Sequence, residues 1–358
     1  MLVPLFDTRG PLAPLEPEIR AAIDRVLESG RYILGPEVAS FEREFAEYCG
    51  VAHAVGVANG TDALTIALRA MGVGPGDEVI VPSFSFYASA EAIPPTGAVP
   101  VFCDIDPETF CITAETVRAA ISERTKAVVA VHLFGNMVDV ESIAALGVPV
   151  LEDAAQAAGS RLDGRRAGSL GTAATFSFFP SKNLGCFGDG GMITTDDTSV
   201  ADAARTLRFH GSRDKVHYEQ VGYNSRLDEL QAAILRVQLP HLDSWADGRR
   251  AGGAYYAASA LAESAQLPTP TPGCEAAWHL YVVQSEDPDA LHERLEQAGI
   301  DSRAYYRTPI HRQPAMAPWS AGVELPMTEA AAERHLALPI SPLFALDAAD
   351  AVAAAARG

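Results

Sequence analysis

The sequence is poor in basic residues for its length. Its 358 residues include 27 lysines and arginines but 46 aspartates and glutamates, which gives a formal net charge of −19 at pH 7. Proteins that bind nucleic acid usually present a basic face, and anionic membrane surfaces attract lysine and arginine. We therefore predict neither a nucleic-acid partner nor a membrane partner. An anionic small-molecule substrate would need a local basic patch against the overall negative field.

Cysteine is also scarce, and long apolar runs are missing. The five cysteines are scattered and show no CxxC spacing, so neither a disulfide framework nor a metal site is predicted. The first ten residues, MLVPLFDTRG, lack the basic-then-apolar pattern of a signal peptide. No uncharged apolar run approaches the roughly 18 residues that a membrane-spanning helix needs. These features predict a cytoplasmic protein with reduced thiols.

Short apolar segments of the buried-strand type alternate with helix-like segments over the first 240 residues. The strand candidates are 53–57, 78–82, 99–103, 127–131, 148–151, 175–178 and 192–195. Such alternation requires crossover connections and predicts an α/β fold with a mostly parallel central sheet. Beyond a helix at 227–239 the pattern changes to a strand at 280–284, a helix at 289–298 and a short strand near 300–305. We expect a large domain at 1–240, including an N-terminal arm, and a smaller α+β domain at 241–358.

Two polar segments follow predicted strands at the point where each strand ends. Asn59-Gly60-Thr61-Asp62 opens a helix; the glycine allows close backbone approach, and Thr61 could cap the helix or donate to a phosphate. Asp153 follows the strand at 148–151, where ligands bind in open α/β sheets, and it could hold a pyridine nitrogen protonated there. For each segment, a plain helix cap is the competing interpretation.

Two further segments carry a nucleophile and a polar loop. Lys182 lies between the aromatic run Phe176–Phe179 and the glycine-rich loop Gly188–Gly191. A partly desolvated lysine has a depressed pKa and becomes a nucleophile toward an aldehyde, whereas the competing interpretation, a solvated surface lysine, fits the apolar neighbours poorly. The segment Gly222–Ala233 carries Asn224 in front of a helix, either as a polar loop at the edge of a site or as a capping segment.

Taken in order, these segments resemble the sugar aminotransferases of the DegT/StrS type, within the aspartate-aminotransferase-like fold type I enzymes that use pyridoxal 5′-phosphate (PLP). The resembling stretches are Gly35–Glu37, Asn59–Leu64, Asp77–Ser83, Asp104–Asp106, Val131–Gly135, Glu152–Gln156, Ser177–Gly191 and Gly222–Ala232. Each is weak alone, but the ordered set is highly specific. The resemblance implies PLP as the cofactor and a three-layer α-β-α fold of type I with a mostly parallel central sheet.

The resemblance also implies roles around the ring of the cofactor. Lys182 would hold PLP as a Schiff base and would shuttle a proton as general base and acid. Asp153 would pair with the pyridine nitrogen, and Gln156 would contact the ring hydroxyl side. Phe86 would stack on the ring, where the family has Tyr or Trp; phenylalanine still supplies a flat apolar face.

The phosphate of the cofactor is the second group to which the resemblance assigns residues. Gly60, Thr61 and Ser177 would hold it from the same chain. Asn224 would reach the phosphate of the neighbouring subunit's cofactor, which implies a homodimer with shared active sites.

The implied reaction transfers an amino group, by family analogy from glutamate, to a keto-sugar linked to a nucleoside diphosphate. Some family members have histidine in place of the lysine and dehydrate sugars, so Lys182 favours transamination. A keto-cyclitol such as an inosose is a competing substrate, and a non-catalytic PLP-fold regulatory protein is a competing class.

Six residues are candidates for contacts with the substrate; the alternative is a solvated surface charge or, for a histidine, a place in the core. The candidates are Arg31, His132, Arg213, Lys215, Tyr306 and His311.

Overall fold

Short strands occur throughout the part of the chain that the computed structural model describes, residues 3–357. They are β1 (His53–Val57), β2 (Glu78–Pro82), β3 (Val99–Cys103), β4 (Thr125–Val131), β5 (Val150–Asp153), β6 (Arg161–Leu162), β7 (Arg165–Arg166), β8 (Ala173–Ser177), β9 (Gly191–Thr195), β10 (Cys274–Glu275), β11 (Tyr281–Gln284) and β12 (His335–Leu338). Several of the longer strands are rich in valine and isoleucine, residues that suit strands buried on both faces.

Helices alternate with these strands. The α-helices are α1 (Glu16–Ser29), α2 (Pro36–Cys49), α3 (Gly60–Ala70), α4 (Ala88–Glu91), α5 (Ala114–Ala120), α6 (Val140–Ala144), α7 (Thr198–Leu207), α8 (Glu229–Gln238), α9 (Leu242–Ala258), α10 (Pro288–Gln297), α11 (Ala317–Ser320), α12 (Pro326–Arg334) and α13 (Leu346–Arg357). Short 3-10 turns lie at Gly10–Leu15, Pro94–Thr96, Leu133–Gly135, Leu239–His241, Ala260–Glu263, Ile310–Arg312 and Pro314–Met316.

Seven strands form the central sheet in the order β1-β9-β8-β5-β4-β2-β3. The pairs from β8 through β3 are parallel, and β9 runs antiparallel to both of its neighbours. The prediction of a mostly parallel sheet is therefore confirmed. Because six of the seven strands point the same way, their carboxyl ends meet along one edge, where ligands bind in α/β folds.

Alternate residues of the sheet pack into different hydrophobic clusters on its two faces. Val55 of β1 and Ile193 of β9 pack in one cluster with α3 and α7. Their neighbours Ala54 and Met192 pack in the other with α2 and α8. Successive side chains of a strand point to opposite faces, so this division describes a sheet between two helical layers and confirms the predicted three-layer arrangement.

The C-terminal third contains elements that the sequence patterns did not predict. The segment near 300–305 is not a strand; only Ile300 and Arg303 make isolated bridges, to Val3 and Ala337. The partner of β11 is instead β12, an antiparallel strand without a marked sequence pattern. A separate hydrophobic cluster gathers residues of α9, β11, α10, β12 and α13. The domain boundary near residue 240 stays a prediction.

Candidate active site

A cavity of about 670 Å³ opens at the carboxyl ends of the central strands, within the usual size range of small-molecule sites. Its wall is formed mainly by the start of α3, the segments after β2, β5 and β8, and two C-terminal segments. The residues that line it are Phe6, Asn59, Gly60, Thr61, Asp62, Leu64, Ser85, Phe86, Ala88, Ser89, Glu91, Val131, Asp153, Ala155, Gln156, Ser177, Phe179, Ser181, Lys182, Asp189, His279, Leu280, Tyr305 and Tyr306. Eight of the residues singled out in the sequence are therefore brought together.

Asp153 lies at the end of β5 and is 5% exposed. Its Oδ2 accepts a 2.7 Å hydrogen bond from the hydroxyl of Ser89, and its Oδ1 accepts a 3.2 Å bond from the backbone N–H of Ala155. Burial raises the pKa of this carboxyl, while the two hydrogen bonds and the nearby Lys182 work in the opposite direction. No helix begins at Asp153, so the alternative of a simple helix cap is wrong. The carboxylate is placed to hold a cationic ring nitrogen at the floor of the cavity.

Lys182 enters the same cavity from the turn that follows β8. Its backbone N–H donates to the carbonyl of Phe179 at 2.8 Å, which fixes the start of the side chain. Burial lowers the pKa of Lys182 to about 8, although the charge of Asp153 works to raise it. An amine with that pKa is partly neutral at physiological pH and can act as a nucleophile or take up a proton. The interpretation as a solvated surface lysine is wrong.

The start of α3 forms a cradle beside Ser177. The N-cap of the helix is Asn59, whose side chain accepts a 2.8 Å bond from the N–H of Asp62; the prediction that Thr61 caps the helix is wrong. First-turn N–H groups such as those of Gly60 and Thr61 have no intrahelical acceptor and favour an anion. A Cβ on Gly60 would lie 2.8 Å from Cβ of Ser177, so only glycine permits this approach. The cradle fits a phosphate group.

Gln156 connects the end of β5 with a C-terminal segment of the wall. Its Oε1 accepts a 2.6 Å bond from the N–H of Phe134, and its Nε2 donates to the hydroxyl oxygen of Tyr306 at 3.1 Å. Burial raises the pKa of the Tyr306 phenol, which therefore stays protonated. Phe86 is 55% exposed toward the cavity, with its ring centroid 5.9 Å from that of Tyr306. Tyr306 and Phe86 thus both line the cavity, where Phe86 offers a flat face. A contact of Tyr306 with the substrate stays a prediction.

Asn224 does not line the cavity of its own chain. It forms an isolated antiparallel bridge with Phe209, and its Oδ1 accepts a hydrogen bond from the guanidinium of Arg226. The neighbouring Ser225 accepts a 3.0 Å bond from the N–H of Ala58, which ties the segment to the strand that leads into α3. The role of Asn224 toward a neighbouring subunit therefore stays a prediction.

Two of the predicted substrate contacts are core histidines. His132 is 0% exposed; its Nδ1 accepts from the N–H of Val138 at 3.0 Å, so its Nε2 donates to Glu152 at 2.8 Å. His311 is 2% exposed and is held between Ser83, at 2.6 Å, and Glu329, at 3.2 Å. Neither residue lines the cavity. Since both nitrogens of each ring are occupied by protein groups, a direct substrate contact is wrong for both.

Three predicted basic contacts lie on the surface, outside the cavity of their own chain. Arg31 is exposed, Arg213 pairs with Glu219 at 3.4 Å, and the ammonium of Lys215 lies 5.0 Å from the ring centroid of Phe209. Within one chain they are solvated surface charges, as the alternative interpretation held.

Ser89 and His279 are among the residues of the wall that the sequence patterns missed. Ser89 lies on α4 and bonds to Asp153, but nothing in a lone serine distinguished it. His279 lines the cavity, and its side chain is 4% exposed. The stretch Trp278–Tyr281 also resembles the family, and this signal could have identified the histidine.

Acidic residues dominate the charge of the cavity wall. Asp62, Glu91, Asp153 and Asp189 line it, and among residues 3–357 Lys182 is the only lysine or arginine that does so. Within the same range, no three His, Cys, Asp or Glu side chains are gathered as a metal site. No helix in the described residues is long and apolar enough to cross a membrane.

Four features of the cavity fit PLP. The cradle at Gly60 and Ser177 suits a phosphate, the Asp153 carboxylate suits a pyridinium, and the Lys182 amine suits an aldehyde. The flat face of Phe86 suits an aromatic ring. The cavity therefore offers a suitable protein group to each part of this cofactor: the phosphate, the aromatic ring, the ring nitrogen and the aldehyde.

Comparison with known proteins agrees with this geometry. A 47% identical protein, matched over 95% of this chain and 91% of its own length, is the dTDP-3-amino-3,4,6-trideoxy-alpha-D-glucose transaminase of Streptomyces venezuelae. The pleiotropic regulatory protein of Geobacillus stearothermophilus is 46% identical over 96% of this chain and 94% of its own length. The crystal structure of S. venezuelae DesV in complex with a ketimine intermediate superposes with a TM-score of 0.95 at 45% identity, covering 100% of this chain and 99% of that one.

The DegT/DnrJ/EryC1/StrS aminotransferase family model matches residues 14–357. Enzymes of this family are PLP-dependent aminotransferases of fold type I, so the fold, the enzyme class and the cofactor predicted from the sequence are confirmed. The chain belongs to the DegT/DnrJ/EryC1/StrS aminotransferase family.

Proposed function

We propose that this protein transfers an amino group from glutamate to a keto-sugar linked to a nucleoside diphosphate. The observation that carries the proposal is that Lys182 and Asp153 line the same cavity. The chain that holds them is 47% identical to a dTDP-amino-sugar transaminase. PLP, when bound, supplies a protonated ring that draws electrons from the α-carbon of the amino donor.

Lys182 and Asp153 divide the proton chemistry between them. Asp153 holds its negative charge at the floor of the cavity, where the Ser89 hydroxyl stabilises the ionised form. Lys182, with a pKa of about 8, takes a proton from the α-carbon of the donor as a general base and, as a general acid, would deliver it to the former aldehyde carbon of bound PLP. In the second half of the reaction, in which the keto-sugar accepts the amino group, the same amine carries out these proton transfers in the reverse order.

The charge balance of the cavity supports active sites that are shared between two chains. A nucleoside diphosphate and a glutamate both bring negative charge, yet the wall carries four carboxylates and only one lysine. Positive groups must therefore reach the site from outside the wall. A second copy would contribute Arg226, which lies beside Asn224, or Arg213 and Lys215 of the preceding loop.

An exposed apolar surface beside Asn224 supports a homodimer. The Glu229 carboxylate accepts from the N–H of Gly35 at 2.8 Å, so the segment before α2 lies against the start of α8, next to Asn224. The exposed side chains nearby include Tyr32, Ile33, Leu34 and Phe187. Contiguous apolar groups that remain exposed mark interaction surfaces. We assign this surface to the contact between two copies.

A substrate panel tests the proposal. The PLP-loaded protein is incubated with glutamate and, separately, with dTDP- and UDP-linked keto-sugars and with inososes, and the amino products are identified by mass spectrometry. We expect amination of at least one nucleotide-linked keto-sugar. Turnover of an inosose alone would assign the protein to keto-cyclitol amination. A failure of glutamate to change the absorbance of bound PLP would favour a non-catalytic regulatory role.

A further inference from the structure

His279 forms part of the wall of the active-site cavity, in the irregular segment between β10 and β11. The side chain is 4% exposed, and its ring centroid lies 5.8 Å from that of Phe6. The backbone is held by close packing on Gly135, where a Cβ would come within 2.9 Å of the N atom of His279. The next N–H, of Leu280, donates to the carbonyl of Phe134 at 3.3 Å. The imidazole is therefore fixed at the cavity by its main chain.

Only one nitrogen of this imidazole can meet a ligand. Nδ1 is enclosed by protein and has no hydrogen-bond partner among residues 3–357. Nε2 has no hydrogen-bond partner among the same residues and is not enclosed as Nδ1 is, so in a ring that lines the cavity it is the nitrogen that faces it. An enclosed acceptor without a partner is tolerated better than an enclosed donor without one, so the proton of the neutral ring belongs on Nε2. His279 thus presents an N–H donor to the cavity.

Two positive charges lie near this donor. Burial, followed by the charges of Lys182 and Arg249, holds the pKa of His279 well below its ordinary value, so the ring stays neutral. Arg249 is 6% exposed; its Nη1 donates to the carbonyls of Trp278, at 3.1 Å, and Ile340, at 3.3 Å. The carbonyls carry no charge, and the negative charge of Asp7 only partly offsets the lowering of the Arg249 pKa by burial. Together with the cradle at the start of α3, the wall at His279 is therefore a part of this acidic cavity that favours an anion.

We infer that Nε2–H of His279 binds the α-carboxylate of the amino donor, an inference that rests on the proposed aminotransferase function. Lys182 moves a proton at the α-carbon, and the α-carboxylate is bonded to that carbon. The anion must therefore lie beside Lys182, where His279 offers a donor and the other charged side chains of the wall are carboxylates. A hydrogen bond from a neutral imidazole to a carboxylate also orients the α-carbon toward the lysine.

Two substitutions distinguish the contribution of the N–H donor to glutamate binding from that of the volume of the ring. His279→Leu removes the donor, whereas His279→Gln places an amide N–H near the position of Nε2. In single-turnover mixing of the PLP-loaded enzyme with L-glutamate, we expect His279→Leu to raise the half-saturating glutamate concentration by about 10- to 100-fold. His279→Gln should restore it to within about threefold of wild type. The dissociation constant of the unreactive dicarboxylate glutarate, measured by calorimetry, should rise in parallel.

The acceptor half-reaction provides the internal comparison. The half-saturating concentration of a keto-sugar nucleotide should be unchanged in His279→Leu, because this substrate has no carboxylate at its reacting carbon. PLP content and melting temperature should match those of wild type and of His53→Leu, a histidine on the edge strand β1. An unchanged response to glutamate, an equal loss for the keto-sugar, or a glutamine variant as weak as leucine would each overturn the inference.

The two proposals fail in different ways. If no keto-sugar nucleotide reacts with wild-type enzyme, the proposed acceptor is wrong, but the glutamate and glutarate measurements still decide the role of His279. If wild-type enzyme neither reacts with glutamate nor binds glutarate, the inference about His279 is wrong together with the proposed donor.

Discussion

The hydroxyl of Ser89 donates a 2.7 Å hydrogen bond to Oδ2 of Asp153, inside the wall of the active-site cavity. Ser89 lies on the short helix α4, and its oxygen is also 2.9 Å from that of Ser85. The segment after β2 therefore orients the carboxylate at the end of β5. Both serines line the cavity, so this contact couples two strand ends at the place where the cofactor would bind.

Ser89→Ala should shift the acid limb of the pH–activity profile to higher pH. Burial already raises the pKa of Asp153, and the Ser89 hydroxyl opposes that effect by stabilising the carboxylate. Activity needs the ionised carboxylate and is lost as the pH falls through its pKa, so removing the hydroxyl moves the loss upward. At neutral pH we expect kcat to fall roughly tenfold. Ser169→Ala, which removes a hydroxyl that donates to the Arg166 carbonyl, is the matched control and should leave the profile unchanged.

The capture of PLP by the apoprotein should depend on pH with a midpoint near 8. The neutral amine is the nucleophile, and the pKa of Lys182 is lowered to about 8 by burial. Covalent attachment, trapped with borohydride and located by peptide mass spectrometry, should therefore accelerate as the pH rises, reach half of its maximal rate near pH 8 and level off above that pH. A midpoint near 10.5, the ordinary value for lysine, would show that the amine is solvated. Lys182→Arg should trap no PLP and show no transamination.

Gly60→Ala should weaken PLP binding. The added Cβ would lie 2.8 Å from Cβ of Ser177 and would push apart the two sides of the cradle that we assign to the phosphate. We expect the dissociation constant of PLP, measured by absorbance titration, to rise roughly tenfold. Gly74→Ala, in the loop between α3 and β2, is the control, because its Cβ would meet nothing within 4 Å. Equal effects of the two substitutions would count against the cradle.

The patterns that identified Lys182, Asp153 and Gly60 are local, and this is why they could be read from the sequence. Asp153 is the last residue of a central strand and the other two follow such a strand, and parallel strands bring their ends together without further information. The same logic was misleading for His132. It also follows a strand end, but its ring turns into the core and donates to the buried carboxylate of Glu152. Which way a side chain turns depends on packing that a single sequence does not encode locally.

Other features depended on tertiary contacts between distant segments. His311 was a predicted substrate contact, yet it is joined to Ser83, 228 residues away, as part of the protein core. Ser89 and His279 reach the site from a short helix and an irregular segment, neither of which carries a periodic pattern. The strand β12 was missed because its sequence, HLAL, is too short to distinguish from a helical segment.

Glu152→Gln should destabilise the fold by about 3 kcal/mol at neutral pH. The buried carboxylate accepts from His132 and from the N–H groups of Gly168, Leu170 and Gly171, at 2.7 to 2.9 Å. Burial alone would raise the pKa of Glu152, but these bonds outweigh it and lower the pKa below 4.5. The stabilisation is thus present above pH 4.5 and is lost as the pH falls through the lowered value.

Urea unfolding at several pH values measures this stabilisation. The difference in unfolding free energy between wild type and Glu152→Gln should be constant near neutral pH and should shrink below about pH 4.5. Glu286→Gln, at a side chain that is 94% exposed, should show no difference at any pH. A difference that persists unchanged in acid would mean that the ionised carboxylate is not the stabilising form.

Mixing two inactive variants should restore activity if each active site takes residues from both chains. Lys182→Ala removes the amine of its own site, whereas Asn224→Ala removes a group that we assign to the neighbouring site. In a hybrid dimer, one site then carries both defects and the other carries none. Random mixing makes half of the dimers hybrid, so the mixture should recover about a quarter of wild-type activity.

Mixing Lys182→Ala with Asp153→Asn gives no such recovery, because both residues line the cavity of the same chain and every hybrid site keeps one defect. Equal activities of the two mixtures would place Asn224 outside the shared site.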